Sequence, residues 1–202
     1  MITKQTNRIA QLFASVTEEA AKPGLELTTV RDIYEKLHLA ATEPEGVTYA
    51  EVDIDGVPGL WCMPKGCDAN RVLLHMHGGG TVVFSMHLDR KAVGHIAKAA
   101  GVRALVLGYR RSPEYKFPAQ IEDLEKAYHW LLGHGIRPEN IATTGQSIGG
   151  EFCREPGFGA AQQASRHAGR HPVGGAMVRL GAKQRYMESN EQIGKIVLTV
   201  GE

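Results

Sequence analysis

Apolar residues recur at helical spacing from the start of the chain. Ile9, Leu12, Phe13 and Val16 share one stripe, and Pro23-Gly24 closes the segment. Val30, Ile33, Tyr34 and Leu37 repeat the spacing, which predicts a second helix over 28–41. The period then changes. Val47, Tyr49, Val52 and Ile54 sit among polar residues up to the turn dipeptide Asp55-Gly56, and Leu60, Trp61 and Met63 follow before Pro64 and Gly66. An antiparallel hairpin is predicted there. From Arg71 onward a unit of strand, loop and helix repeats. Val72, Leu73 and Leu74 make a short strand core, 87–100 reads as a helix stopped by Gly101, and 103–107 reads as a second strand. Ile121, Leu124, Ala127, Tyr128 and Leu131 stripe a helix over 119–132, and 141–144 is a third strand entering Gly145. Strands alternating with helices at this spacing predict an α/β fold with a mainly parallel sheet and helices on both faces.

The pattern breaks after Gly150. Residues 151–202 show no sustained period, and only Ile196, Val197, Leu198, Thr199 and Val200 resemble a strand. The chain therefore divides into two N-terminal helices (1–45), an α/β core (46–150) and an atypical tail (151–202).

Composition narrows the function classes. The 202 residues suit one domain with a real core. Lys and Arg total 23 against 22 for Asp and Glu, a net charge of +1, which gives no reason to expect nucleic acid or an anionic membrane as partner. No apolar run approaches the ~18 residues a spanning helix needs. Lys4, Arg8, Glu18 and Glu19 interrupt the first segment, which lacks the apolar block of a secretory signal. Cys62, Cys67 and Cys153 are an odd set without metal spacing, so free thiols and a cytoplasmic location are expected.

Two motifs carry chemistry. Gly145-Gln146-Ser147-Ile148-Gly149-Gly150 follows a predicted strand and fits G-x-S-x-G, the turn that lifts a serine hydroxyl above a sheet. Glycines flank the serine because side chains would clash in so tight a turn. Upstream, His77-Gly78-Gly79-Gly80 follows another strand and exposes backbone N–H groups with little steric cover. Such donors, with the N–H after the serine, can hold the oxyanion of an attacked carbonyl. A phosphate-binding loop would end in Gly-Lys-Ser/Thr, and Thr81-Val82-Val83 supplies no lysine. His75 and His77 form an H-x-H pair, but no further ligand follows at useful spacing, so no metal is expected. His87, His95, His129 and His134 read as surface or packing residues.

The chain resembles the hormone-sensitive-lipase-like branch of the α/β-hydrolases, the bacterial esterase and lactone-hydrolase type. Three stretches carry the likeness: Arg71 to Gly80, ending in H-G-G-G; Tyr109-Arg110-Arg111-Ser112-Pro113-Glu114-Tyr115-Lys116-Phe117-Pro118-Ala119, similar to Y-R-L-A-P-E-x-x-F-P-A; and the G-Q-S-I-G-G elbow, similar to G-D-S-A-G-G. The resemblance implies Ser147 as nucleophile and Gly78, Gly79 and the N–H of Ile148 as the oxyanion hole. His77, Gly80, Gly145 and Gly149 support the motifs, and the N-terminal helices form part of a cap. It implies hydrolysis of small or medium carboxylic esters or lactones through an acyl-enzyme. No cofactor is implied, and the partner is a small-molecule ester.

The sequence departs from that pattern. Gln146 stands where Asp is usual, and Thr81 where an aromatic residue is common. The family places its acid and histidine well beyond the elbow. Here only His167 and His171 follow Ser147, in the patternless tail, and nothing marks either as a base. The tail after Gly150 is expected to be truncated or out of frame, with the C-terminal part of the fold missing. Dropping one base at codon 151 permits N-F-A-V-N-L-A-L, and Met177-Val178 forces a tryptophan in the shifted frame, with neighbours permitting P-W-F-D. The competing expectations are an inactive fragment lacking base and acid, associating through exposed apolar surface, and an anion-binding module built on the glycine loop.

Overall fold

The computed structural model describes residues 4–154 and the short strands at 179–180 and 198–199. Two helices come first, α1 (Lys4–Ala20) and α2 (Leu27–Glu35), followed by a 3-10 turn (Lys36–Ala40). The second predicted helix thus ends as an α-helix at Glu35, five residues before the tighter turn finishes. Val16, Ile33 and Leu37 form a small core, with Leu12, Tyr34, Phe84 and Leu88 packed against it. The apolar stripe of these helices therefore covers a loop and a helix of the α/β core.

The sheet has β1 (Val47–Ile54), β2 (Val57–Pro64), β3 (Asp68–Met76), β4 (Val102–Leu107) and β5 (Ile141–Gly145) in the order β1-β2-β4-β3-β5. The hairpin β1–β2 is antiparallel, with Ile54 opposite Val57 across the turn at Asp55 and Gly56. Asp55 takes φ 49° and Gly56 φ 90°, the positive values a two-residue hairpin turn requires. β2 pairs antiparallel with β4, whereas β3 pairs parallel with both β4 and β5. The sheet is thus mixed: antiparallel on the hairpin side and parallel around β3, where the two chemical motifs lie.

Helices cover both faces. α3 (Met86–Ala100) and α4 (Ala119–Gly133) take opposite sides, and β4 shows why. Its alternate residues separate, Leu105 and Leu107 into one cluster with Leu124, Tyr128 and Leu131 of α4, Ala104 and Val106 into another with Val93 and Ala97 of α3. Burying each of these leucines contributes about 2 kcal/mol relative to exposure. The helix boundaries have local causes. The Ser85 hydroxyl accepts from the N–H groups of His87 and Leu88 at the start of α3, and Gly101, at φ 66°, ends it. A short helix α5 (Ile148–Phe152) follows the elbow. Strands β6 (Arg179–Leu180) and β7 (Leu198–Thr199) pair antiparallel with each other. The rest of the tail, with His167, His171 and the out-of-frame reading, lies outside the described residues.

The three cysteines are free thiols. Burial pushes Cys62 and Cys153 up to about 12, so neither supplies a thiolate near neutral pH. Among the described residues, no helix is long and apolar enough to cross a membrane, and no group of three or more His, Cys, Asp or Glu is placed to hold a metal ion.

Candidate active site

The two motifs meet because β3 and β5 are parallel neighbours. Met76, the last residue of β3, pairs with Gly145, the last of β5, so the chain leaves both strands at the same edge. The N–H of Gln146 donates to the Met76 carbonyl at 3.1 Å. Ser147 then takes φ 52° and ψ −123°, a region L-residues rarely occupy, and its side chain is exposed. The strand-to-helix turn closes through Gly149 N–H to the Gln146 carbonyl and Gly150 N–H to the Ser147 carbonyl, both 2.9 Å.

Glycine is required at two points of this turn. A Cβ on Gly145 would drive into the backbone of Gly149 and Gly150, and one on Gly149 into the carbonyls of Met76 and His77. The elbow is thus packed backbone to backbone against the end of β3. Gly78 lies directly against it, where a Cβ would sit 3.1 Å from the Gln146 carbonyl oxygen and 3.5 Å from the Ser147 Cβ. Gly79 has φ 91°, and a Cβ there would meet the Val83 carbonyl.

Side chains hold the glycine loop from behind. The imidazole of His77 is buried and stacks on Tyr109, ring centroids 4.1 Å apart. Burial lowers its pKa to about 4, so the ring is neutral near pH 7, and Nδ1–H donates to the Gly78 carbonyl at 2.9 Å. The Tyr109 hydroxyl donates to the His77 carbonyl at 3.0 Å and to the Gly78 carbonyl at 3.3 Å. In a trans peptide the C=O and the following N–H point in opposite directions. Pinning the carbonyls of residues 77 and 78 toward Tyr109 therefore turns the N–H groups of Gly78 and Gly79 away from it.

His75 is not a simple strand histidine. It is buried, its Nε2–H donates to the Asp89 carboxylate at 3.0 Å, and its Nδ1 meets the Thr144 hydroxyl at 2.7 Å. It ties β3 to β5 and α3 beneath the site. His77 and His75 thus point to different partners, and the H-x-H pair does not converge. His95 reaches the Thr42 carbonyl and His134 the Trp130 carbonyl, both on the exterior. Among the described residues, no side chain hydrogen-bonds the Ser147 hydroxyl.

The sequence reading missed the role of the segment after β4. Arg110 pairs with the buried Asp123 of α4 at 2.9 Å, and the Gln120 amide donates to the carbonyls of Arg110 and Tyr115. Arg111 donates to the Phe84 carbonyl at 2.7 Å, and the Ser112 N–H to the Thr81 carbonyl at 2.8 Å. The stretch Tyr109 to Glu114 is a bracket between α4 and the glycine loop. Its resemblance to a family motif was the one signal that marked it.

Comparison with known proteins identifies the fold and the family. A family described as alpha/beta hydrolase fold matches residues 73–193. The chain is 38% identical over 109 residues to an acetyl-hydrolase of Streptomyces hygroscopicus, covering 54% of this chain and 34% of that protein. It is 33% identical over 127 residues to the ethyl acetate hydrolase of Pseudomonas putida, covering 58% and 40%. A crystal structure of an esterase from the bacterial hormone-sensitive lipase family superposes with a TM-score of 0.70 at 36% identity, covering 84% of this chain and 54% of that one. The chain thus spans about half the length of that solved esterase and 34% to 40% of these two curated relatives. With its elbow, glycine loop and sheet order in place, the chain belongs to the alpha/beta hydrolase fold family, in the hormone-sensitive-lipase-like branch.

Proposed function

We propose that the chain hydrolyses carboxylic esters, lactones included, with Ser147 as nucleophile. The observation that carries this is the exposed Ser147 at φ 52° on a strand-to-helix turn, with Gly78 packed beside it. The Ser147 oxygen bonds to the acyl carbon, and the carbonyl oxygen takes the negative charge. The N–H groups of Gly78, Gly79 and Ile148 receive that charge. The support is the pinning of the carbonyls of residues 77 and 78 on the opposite side. The bond to the alcohol then breaks, the alcohol leaves with a proton, and water releases the acid from the acyl-serine. Relatives named acetyl-hydrolase and ethyl acetate hydrolase favour small acyl groups. The helices α1 and α2, packed over Phe84 and Leu88, are read as part of a cap.

The reaction needs a base to take the serine proton, and the histidines that follow Ser147 lie outside the described residues. The loss of helical period after Gly150 and the tryptophan forced by Met177-Val178 favour a shifted reading frame over 151–202. Sequencing the gene across codons 145–202 and beyond tests that reading: an added base near codon 151 supports it, and an unbroken frame overturns it. For the chemistry, the chain is incubated with p-nitrophenyl acetate beside Ser147→Ala, and the peptide containing Ser147 is examined by mass spectrometry. Faster release by the native chain, with an acetyl group on Ser147, is expected. Equal rates reject Ser147 catalysis and leave the inactive-fragment reading. Because an oxyanion hole alone leaves residual rate, the acylated serine decides.

A further inference from the structure

The glycine loop carries more backbone strain than glycine can absorb. Gly79 and Gly80 have φ 91° and 60°, but Thr81 and Phe84 are also positive, at 69° and 63°. Each such side-chain-bearing residue is strained, and the conformation persists only where its surroundings over-determine it. Inside the loop, the N–H groups of Val82 and Val83 both donate to the Gly79 carbonyl at 3.0 Å. The remaining restraint comes from outside, and much of it passes through one side chain.

That side chain is Arg31 of α2, 51 residues before Val82 of the loop. Its Nε–H donates to the Val82 carbonyl at 2.8 Å and one Nη2–H to the Ser112 carbonyl at 2.9 Å. The outer edge of the guanidinium takes both oxygens of Glu114, at 2.6 and 2.7 Å. Four of its five donors are thereby used in one plane. The side chain is 13% exposed, so water competes little on the inner edge. Ser112 itself donates to the Thr81 carbonyl, so the fork grips the loop at Val82 directly and at Thr81 through Ser112. Beside it, Tyr34 of α2 meets Phe84 edge to face at 5.8 Å.

We propose that Arg31 is a positioning residue for the glycine loop, a clamp by which the N-terminal helices fix the strained backbone at 79–84 from outside the site. It touches no reacting atom. Resting on the esterase reading, its consequence there is for turnover: a loosened loop misplaces the N–H groups of Gly78 and Gly79 in the transition state, lowering kcat while KM stays. The planar fork matters as much as the charge, because Lys offers a single point of donation and cannot bond Val82, Ser112 and both Glu114 oxygens together.

The test is amide hydrogen exchange followed by mass spectrometry on the full chain, native beside Arg31→Lys and Arg31→Ala. Lys36→Ala serves as a control that breaks the outer ion pair of Lys36 with Glu19. In Arg31→Lys, exchange in peptides spanning 78–84 and 109–116 should rise about tenfold, as expected for losing charge-assisted hydrogen bonds. Peptides from β3 and β4, and all peptides of Lys36→Ala, should stay at the native rate. Unaltered loop exchange in both Arg31 variants overturns the proposal. So does a rise shared equally by β3 and β4, which would make Arg31 a general stability residue. Where the preparation turns ester over, an Arg31→Lys kcat equal to native overturns the link to catalysis. The exchange readout needs no turnover, so failure of the Ser147 reading, seen in Ser147→Ala, remains a separate result.

Discussion

The elbow and the glycine loop touch at Gly78, yet opposite means hold them in shape. The elbow is fixed by exclusion. Gly145 and Gly149 press backbone on backbone, with no room for a methyl group. The loop is fixed chiefly by donation, with exclusion at Gly79, where a Cβ would meet the Val83 carbonyl. Its carbonyls at residues 77, 78, 81, 82 and 84 accept from Tyr109, His77, the Ser112 N–H, Arg31 and Arg111. Exclusion is all or nothing, since a clash with backbone cannot be relieved locally. Donation is graded, since each hydrogen bond to a charged or buried group contributes about 1–3 kcal/mol and others remain when one is lost. Substitutions at the two regions should therefore differ in size as well as kind.

The largest effect is expected at the elbow. Gly149→Ala places a methyl group into the carbonyls of Met76 and His77, and the end of β3 cannot retreat without breaking its pairing with β5. Urea unfolding should show a loss of about 3 kcal/mol, the upper range for overpacking. A loss below 1 kcal/mol would mean the two backbones are not held in contact.

His77 should give a graded, pH-dependent effect. Its ordinary pKa is 6.5, and burial lowers it to about 4 in the fold. Between those values the unfolded chain holds a proton that the folded one does not, so stability falls as pH drops through that window. It is fully present above 6.5, and the change across the window is on the order of 3 kcal/mol. His77→Asn keeps an N–H donor near the Nδ1 position and removes the titration. Its stability should be flatter from pH 6.5 to 4, and equal slopes for the two proteins would refute the assignment.

Tyr109→Phe comes next. One hydroxyl serves two carbonyls, and Gly78 keeps its bond from His77, so the expected loss is about 1–2 kcal/mol in the same unfolding experiment. Loss of that hydroxyl should also speed exchange at 78–84 without altering the peptide 145–152. Equal changes in both would show that the loop and the elbow are one unit rather than two.

The contrast also explains what the sequence disclosed. Exclusion is written in local residue choice: the glycines around Ser147, the Asp55-Gly56 turn and Gly101 after α3 each mark a backbone need at their own position. The strands and helices of 47–145 were legible for the same reason, through period and punctuation. Donation is not local. Nothing near Arg31 says that its guanidinium meets a carbonyl 51 residues on, nor near His75 that Asp89 and Thr144 will flank it. The sheet order was equally hidden, because β2 pairs with β4 rather than with β3, its neighbour in sequence. The 28–41 helix was overextended because the stripe through Leu37 continues into a 3-10 turn, which buries the same residue with a tighter backbone.

The smallest predicted effect has the opposite sign. Thr81 is β-branched at φ 69°, where its own side chain is the source of strain, and its carbonyl contact with Ser112 survives any substitution. Replacing it with glycine removes a cost of about 1–2 kcal/mol in the fold, and the greater freedom of glycine in the unfolded chain returns about 0.4–1 kcal/mol of that. Thr81→Gly should therefore stabilise the chain by about 0.5 kcal/mol in urea unfolding, and faster loop exchange should not accompany it while Arg31 and Arg111 still hold residues 82 and 84. A loss of stability would mean that the threonine side chain, not the outer donors, keeps the loop in place. Donation would then no longer separate this region from the elbow.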